Sequence, residues 1–488
     1  MEVFMSEILK KFVAALFAGV LSLNAAVTIY VDNVKGNDRN PGTQDKPVMS
    51  ISRGLALLRG KTSGKMEVIN TGKVYREGYP GVNGRAFSVR VSGTENDPVV
   101  INGNGAVFSG LAKIPAAKWT CDSANIYSLP FWPMSNMMKS YKKENYWHDG
   151  TQIWFLDGKP AKNCHDAAEL QQNPGGFWWD KANKVVRFHL PAGKTMEQVE
   201  IMLPSNEGFY VHGDHVIIKN FFITHSRNDG FDSDSIPRKN VRYINCVSID
   251  NCGQGMSCHG GETFYENCVA IRCSSTGICN VGNNRAFYKN CLVIDNCFES
   301  GVAVVGTGTH TFENCIISGN TPFEQIVQSG KCQAIFKNCL IETSPQDTNP
   351  VAKVGNGILT LQNCTVRGGK KLVTVSHSGT GVMELFNCIV SGQSKYTYRL
   401  NGKAVERCRI GENVYVASPG FLLADKKANK GNYAKIAAFD KGSVFVDSES
   451  DPAVAKTGAG AKIPAEMVEM YNKFKKCRAT VDGVVFDK

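Results

Sequence analysis

The sequence predicts an all-β chain wound into a parallel β-helix, and three observations carry that prediction. First, Asn-Cys forms a periodic series of seven, Asn245-Cys246, Asn267-Cys268, Asn290-Cys291, Asn314-Cys315, Asn338-Cys339, Asn363-Cys364 and Asn387-Cys388, in steps of 22, 23, 24, 24, 25 and 24 residues. A fixed period in this range marks stacked structural units. Second, a large apolar or aromatic residue stands two positions before each Asn: Tyr243, Tyr265, Tyr288, Phe312, Phe336, Leu361 and Leu385. Third, each repeat has room for two or three short strands, such as Phe264 to Ala270 and Gly277 to Val281, and none contains ten residues of helical periodicity. Coils of this length stack about 4.8 Å apart by parallel pairing. Matching apolar residues then form columns inside the tube. An Asn at a matching turn adopts a left-handed conformation and hydrogen-bonds to its neighbours above and below.

The elements follow in order. Residues 1–26 read as an export signal, with Lys10 and Lys11 before the apolar run Phe12 to Leu23 and a small-residue cleavage site at Leu23-Asn24-Ala25. That run is too short for a permanent bilayer anchor, so the mature chain is expected to be secreted or periplasmic, monomeric and away from membranes. Residues 27–112 form the N-terminal cap and first coils. Within them, Ile51, Leu55 and Leu58 share one helical face, which predicts a short amphipathic helix over 48–59 that plugs the end of the tube. Residues 113–200 break the period and hold all six tryptophans: Trp119, Trp132, Trp147, Trp154, Trp178 and Trp179. This stretch is expected to leave the helix as a hairpin subdomain. Its aromatics form either a small core or a wall for sugar rings; for the wall, Trp178 and Trp179 are the best candidates because adjacent residues cannot easily face one core. Regular coils resume over 201–393. Residues 394–488 give looser coils and a cap, with Met467, Met470, Tyr471 and Phe474 at helical spacing.

Seventeen cysteines would suggest a disulfide framework in an exported chain. Their spacing favours columns of small buried hydrophobes instead, with Cys252, Cys273 and Cys297 in a second column. Paired Cys-x-x-Cys spacing is absent, which argues against zinc. The formal net charge is +11, which favours a polyanionic polysaccharide partner or simply aids solubility. Nucleic acid is not expected, because no basic cluster is present.

Chemistry concentrates in the coil from Thr224 to Asp234. Aligning coils on their starting Asn puts Gly230, Gly255, Gly277 and Gly301 in register. Strand alternation then sends Phe231, Met256, Ile278 and Val302 inward and Asp232 and Asp234 outward, with His259 one coil away. Asp229, Asp232 and Asp234 suit a hard, oxygen-liganded cation such as Ca²⁺. A repelling carboxylate cluster alternatively supplies an acid and base pair. Arg227, Arg238, Arg272 and Arg285 lie in the same coils and could hold substrate carboxylates or sulfates. The bland reading makes Asp229-Gly230 a turn and the other two aspartates solvated strand residues.

The start of the expected mature chain, Tyr30-Val31-Asp32, Gly36-Asn37-Asp38, Asn40-Pro41-Gly42-Thr43 and Pro47, together with the coils, resembles secreted right-handed parallel β-helix proteins of the pectate-lyase-like superfamily. That resemblance covers nearly the whole mature chain. It implies a right-handed helix and leaves the reaction open, since the fold carries lyases, hydrolases, esterases, epimerases and adhesins. Asn228-Asp229-Gly230-Phe231-Asp232 is similar to the polygalacturonase motif, but Gly253-Gln254 stands where the next coil should carry a paired Asp. Gly230-Phe231-Asp232 also resembles part of the alginate epimerase signature, with Asp234 in place of its His-acid pair. Calcium-dependent pectate-lyase-like enzymes use Asp clusters on such coils with a Lys or Arg base. The resemblance therefore puts β-elimination of a uronate polysaccharide first, with Asp232, Asp234 and His259 as catalytic groups. A glycoside hydrolase using an Asp pair follows, and a non-catalytic glycan-binding protein is third.

Overall fold

A computed structural model describes residues 27–487 apart from 62, 78–86, 131–153, 234, 297–298, 321–323, 344–348, 370, 376–379, 394–395, 402–406, 418–421 and 425–441. The proposed export signal, Trp132, Trp147, Asp234 and Cys297 lie outside the described residues. Among the described residues thirty strands join in one sheet whose pairings are parallel. The chain is a parallel β-helix.

The expected inward columns are present, but the second cysteine column is not: Cys252 N bonds Ser226 O and Ser274 N bonds Asn251 O, which sets Cys252 opposite Ser274 and Cys273 opposite Asn251. Phe231, Met256, Ile278, Val302 and Ile326 are in register on successive coils, and all are fully buried. Tyr243, Tyr265, Tyr288, Phe312 and Phe336 stack ring on ring, with centroids 4.9, 4.8, 4.6 and 4.3 Å apart. The seven Asn-Cys thiols are buried and unbridged, and each Sγ donates to backbone carbonyls, as Cys268 does to Tyr243 O (3.4 Å) and Glu266 O (3.3 Å).

The Asn ladder has the conformation the spacing predicts. Asn220, Asn245, Asn267, Asn290, Asn314, Asn338, Asn363 and Asn387 all have φ between 52° and 58°. Asn290 Nδ2 donates to Asn267 Oδ1 (3.1 Å) and its own Oδ1 accepts from Asn314 Nδ2 (3.2 Å). Asn290→Ala keeps the left-handed backbone while losing both bonds. The expected loss is about 2–3 kcal/mol in chemical unfolding, from a left-handed Ala and two hydrogen bonds; Asn290→Gly should recover the backbone share alone. Equal losses for Ala and Gly would show that backbone strain contributes nothing.

The predicted N-terminal helix spans Ile51–Leu58, is capped by Ser50, and buries Ile51, Leu55 and Leu58. It packs on the first coil, where Gly54 lies against Met66 and Val31. The excursion forms two small sheets, of five and four strands. Its core gathers Trp119, Trp154, Trp179, Phe177 and Phe188. Trp178, on the other face of the same strand, packs instead against Ile126, Cys164 and Leu170. Two cores, one on each side of the sheet, thus take up the adjacent pair, and the wall for sugar rings is not formed by them.

The C-terminal helix Ala465–Lys475 and the hairpin Cys477–Thr480/Gly483–Phe486 lie along the flank of the solenoid. Met467, Phe474 and Cys477 are buried against the outward side chains of Val247, Ile249, Val269, Ile271, Leu292, Ile294 and Ile316. Ala479 N donates to Asp250 Oδ2 (3.1 Å), Lys475 pairs with Asp295 (3.5 Å) and Gly460 N bonds Asn387 O (2.9 Å). The segment therefore straps many coils together.

Candidate active site

A cleft of about 200 Å³ opens where the strands Phe209–Val211 and Phe231–Ser233 run side by side, lined by Glu207, Tyr210, Asn228, Asp229 and Asp232. Backbone packing fixes this place. A Cβ at Gly230 would collide with Ser248 Oγ and approach Asn251 Nδ2 to 2.9 Å, so only glycine allows the turn into the strand. Asn251 Oδ1 accepts from Ser226 N (2.7 Å), and Ser226 Oγ donates to the carbonyls of Asn228 and Asp229 (2.8 Å each). The loop carrying Asp229 is held at both ends.

Asp229 is turned toward the next coil, where Gln254 N donates to its Oδ1 (2.8 Å). Burial pushes its pKa up to about 7; the Gln254 bond opposes this and the Glu207 charge adds to it. Asp232 is in register with Tyr210 before it and Ser257 after it. His259 reaches back to it, with Nε2 3.4 Å from Asp232 Oδ1 and 2.9 Å from Ser257 Oγ. One donor atom from each of Asp229, Asp232 and His259 lies within 4.8 Å of the others. Of the residues expected to converge, these three do; the fourth, Asp234, is outside the described residues.

The arginines divide. Arg227 is buried close enough to Glu207 for their charges to attract, although burial lowers its pKa. Arg238 sits half-buried at the corner after the site, where its carbonyl accepts from Glu262 N (2.7 Å). Arg272 does not serve the cleft: it grips Asp250 with two bonds (2.7 and 2.9 Å) on the flank beneath the C-terminal hairpin. Arg285 is exposed, pairs with Glu262 (3.8 Å) and lies over the Phe287 ring. Local acidic partners on adjacent coils capture both side chains. Glu207 and Tyr210 were missed by the sequence reading. Gly208-Phe209-Tyr210 matches Gly230-Phe231-Asp232 and would have found them.

The donor set suits Ca²⁺ poorly. That ion takes six to eight oxygen ligands, whereas one of the three groups here is an imidazole and Asp229 already accepts a backbone N–H. Proton transfer is the chemistry the arrangement suits without help: a carboxyl whose pKa burial raises to about 7, beside a second carboxylate 3.4 Å from a histidine.

No protein-family model matches the sequence, and no curated protein sequence does. Solved structures match at low identity. Pectate lyase Pel9A is 13% identical over 80% of each chain, with a TM-score of 0.48. A complex of XylC with xylose is 10% identical over 86% of each chain, with a TM-score of 0.44. A rhamnogalacturonan lyase is 12% identical over 89% of this chain and 99% of its own, with a TM-score of 0.40. Among the described residues no helix is long and apolar enough to cross a membrane.

Proposed function

We propose that this cleft cleaves the glycosidic bond of an extracellular polysaccharide by hydrolysis, with Asp229 as general acid and Asp232 as nucleophile. The observation that carries the reading is the Asp229 carboxyl, buried and held protonated to about pH 7, with an Asp232 oxygen within 4.8 Å. Asp229 would donate its proton to the leaving glycosidic oxygen while Asp232 attacks the anomeric carbon. Asp229, now a carboxylate, would then take a proton from the water that releases the sugar from Asp232. His259 would hold the Asp232 carboxylate in line. Carboxyl groups this close leave no room for a water between them, so the configuration at the anomeric carbon is expected to be retained.

β-Elimination, first in the sequence reading, needs a cation to neutralise a uronate carboxylate. The cleft lining offers three carboxyl groups, an amide and a phenol, and Ca²⁺ fits poorly, so elimination ranks second. The test is product chemistry on a panel of neutral and uronate polysaccharides. Hydrolysis releases reducing ends of retained configuration without new ultraviolet absorbance. A rise in absorbance would replace it with elimination, and neither signal would leave a glycan-binding protein.

A further inference from the structure

We infer that Tyr210 is the stacking surface for the sugar next to the cleaved bond, and that the polysaccharide extends from there over the N-terminal coils only. This rests on the reading of the cleft as a polysaccharide-cleaving site. Tyr210 is in register with Asp232 one coil away, about 4.8 Å along the axis, and it lines the same cleft. His212, two residues on and on the same face, packs against it at right angles with centroids 4.3 Å apart, which fixes the ring. A tyrosine so placed offers an apolar face to sugar C–H groups and a hydroxyl to their oxygens.

Direction follows from the other side of the site. The outward positions beyond Ser257 are Cys279 and Ala303, and both are buried, at 5% and 7% exposure. Glu299 ties down the turn there, accepting from Thr276 Oγ1 (2.8 Å) and Ser275 Oγ (3.2 Å) on the preceding coil. Before Tyr210 the column continues with Ser88, a small polar residue over which a chain can pass. The sugar chain is thus blocked on one side of Asp232 and received on the other.

Binding and turnover separate this inference from the reading beneath it. Gel retardation by xylan, polygalacturonate, alginate and chondroitin sulfate is measured for an Asp232→Asn parent, with Tyr210→Ala and Tyr210→Phe added, each checked by thermal melting. Tyr210→Ala should weaken retention by the bound polymer about tenfold, Tyr210→Phe only slightly, and His212→Ala by an intermediate factor. In the active protein Tyr210→Ala should raise KM with kcat nearly unchanged. Unchanged retention after Tyr210→Ala overturns the inference while leaving the cleavage reading intact. A fall in kcat at constant KM overturns it by placing Tyr210 in the chemistry. A parent that binds through Tyr210, in a protein that cleaves nothing, upholds the subsite and removes the hydrolase. Retention by none of the polymers removes both.

Discussion

Asp229→Asn should abolish cleavage and at the same time make the protein more stable at pH 8. The first half follows from the proton: an amide cannot protonate a leaving oxygen, and general acid catalysis is worth roughly 10²- to 10⁴-fold. A substrate whose leaving group needs no proton should lose much less. The second half follows from burial. Burial raises the carboxyl's pKa to about 7 in the folded chain, against about 3.9 for an unperturbed aspartate. Folding therefore becomes less favourable as pH rises from about 4 to 7, by at most on the order of 4 kcal/mol. The neutral amide removes that dependence and still accepts from Gln254 N through its own oxygen. Melting temperatures of the two proteins should agree near pH 4, diverge as pH rises to 7 and stay apart by a constant gap above it, with the variant higher. Wild-type activity should decline as pH rises through 7. Parallel melting curves at all pH values, or full activity in the variant, would remove Asp229 from its role.

Truncation before Pro464 should convert the protein to aggregates. The strap buries Met467, Phe474 and Cys477 on seven outward aliphatic side chains from four successive coils. Each such side chain is worth roughly 1.5–3 kcal/mol when covered, and uncovering the row creates a continuous apolar stripe of the kind that drives association. Light scattering should show oligomers, with strong binding of a hydrophobic dye. Phe474→Ala, a milder lesion, should cost about 3–5 kcal/mol. A truncated chain that elutes as a monomer with an unchanged melting temperature would mean that the strap is decorative.

The repeat was legible because its signal is redundant. Seven Asn-Cys pairs report the same turn, and the left-handed Asn, the inward Phe231 and Met256 and the buried thiols all follow from one spacing. Asp229, Asp232 and His259 were found by the same register. Arg272 and Arg285 went astray because register gives the face a side chain leaves from and not which neighbour captures it; Asp250 and Glu262 lie one coil away in each case. Trp178 and Trp179 were assigned to opposite faces correctly, but a second core beneath Trp178 has no sequence period to announce it. Glu207 and Tyr210 escaped because the excursion separates their coil from the preceding one and the coil carries no Asn-Cys marker. The C-terminal helix was visible from its spacing, while its place along the flank depends on a stripe of outward Val and Ile residues assembled only by the coils.

The thiol column bears on how the chain reaches this state. In the unfolded chain each cysteine of the column is followed by the next after 22 to 25 residues, so a disulfide between neighbours closes a loop with little entropic penalty, and all such loops are nearly alike. Each one would join residues whose sulfurs, in the finished coil, donate to backbone carbonyls instead. Stacking is therefore in a race with oxidation, and every coil that closes withdraws one thiol from it. Yield on refolding should depend on reductant early and become indifferent to it once the column is sealed.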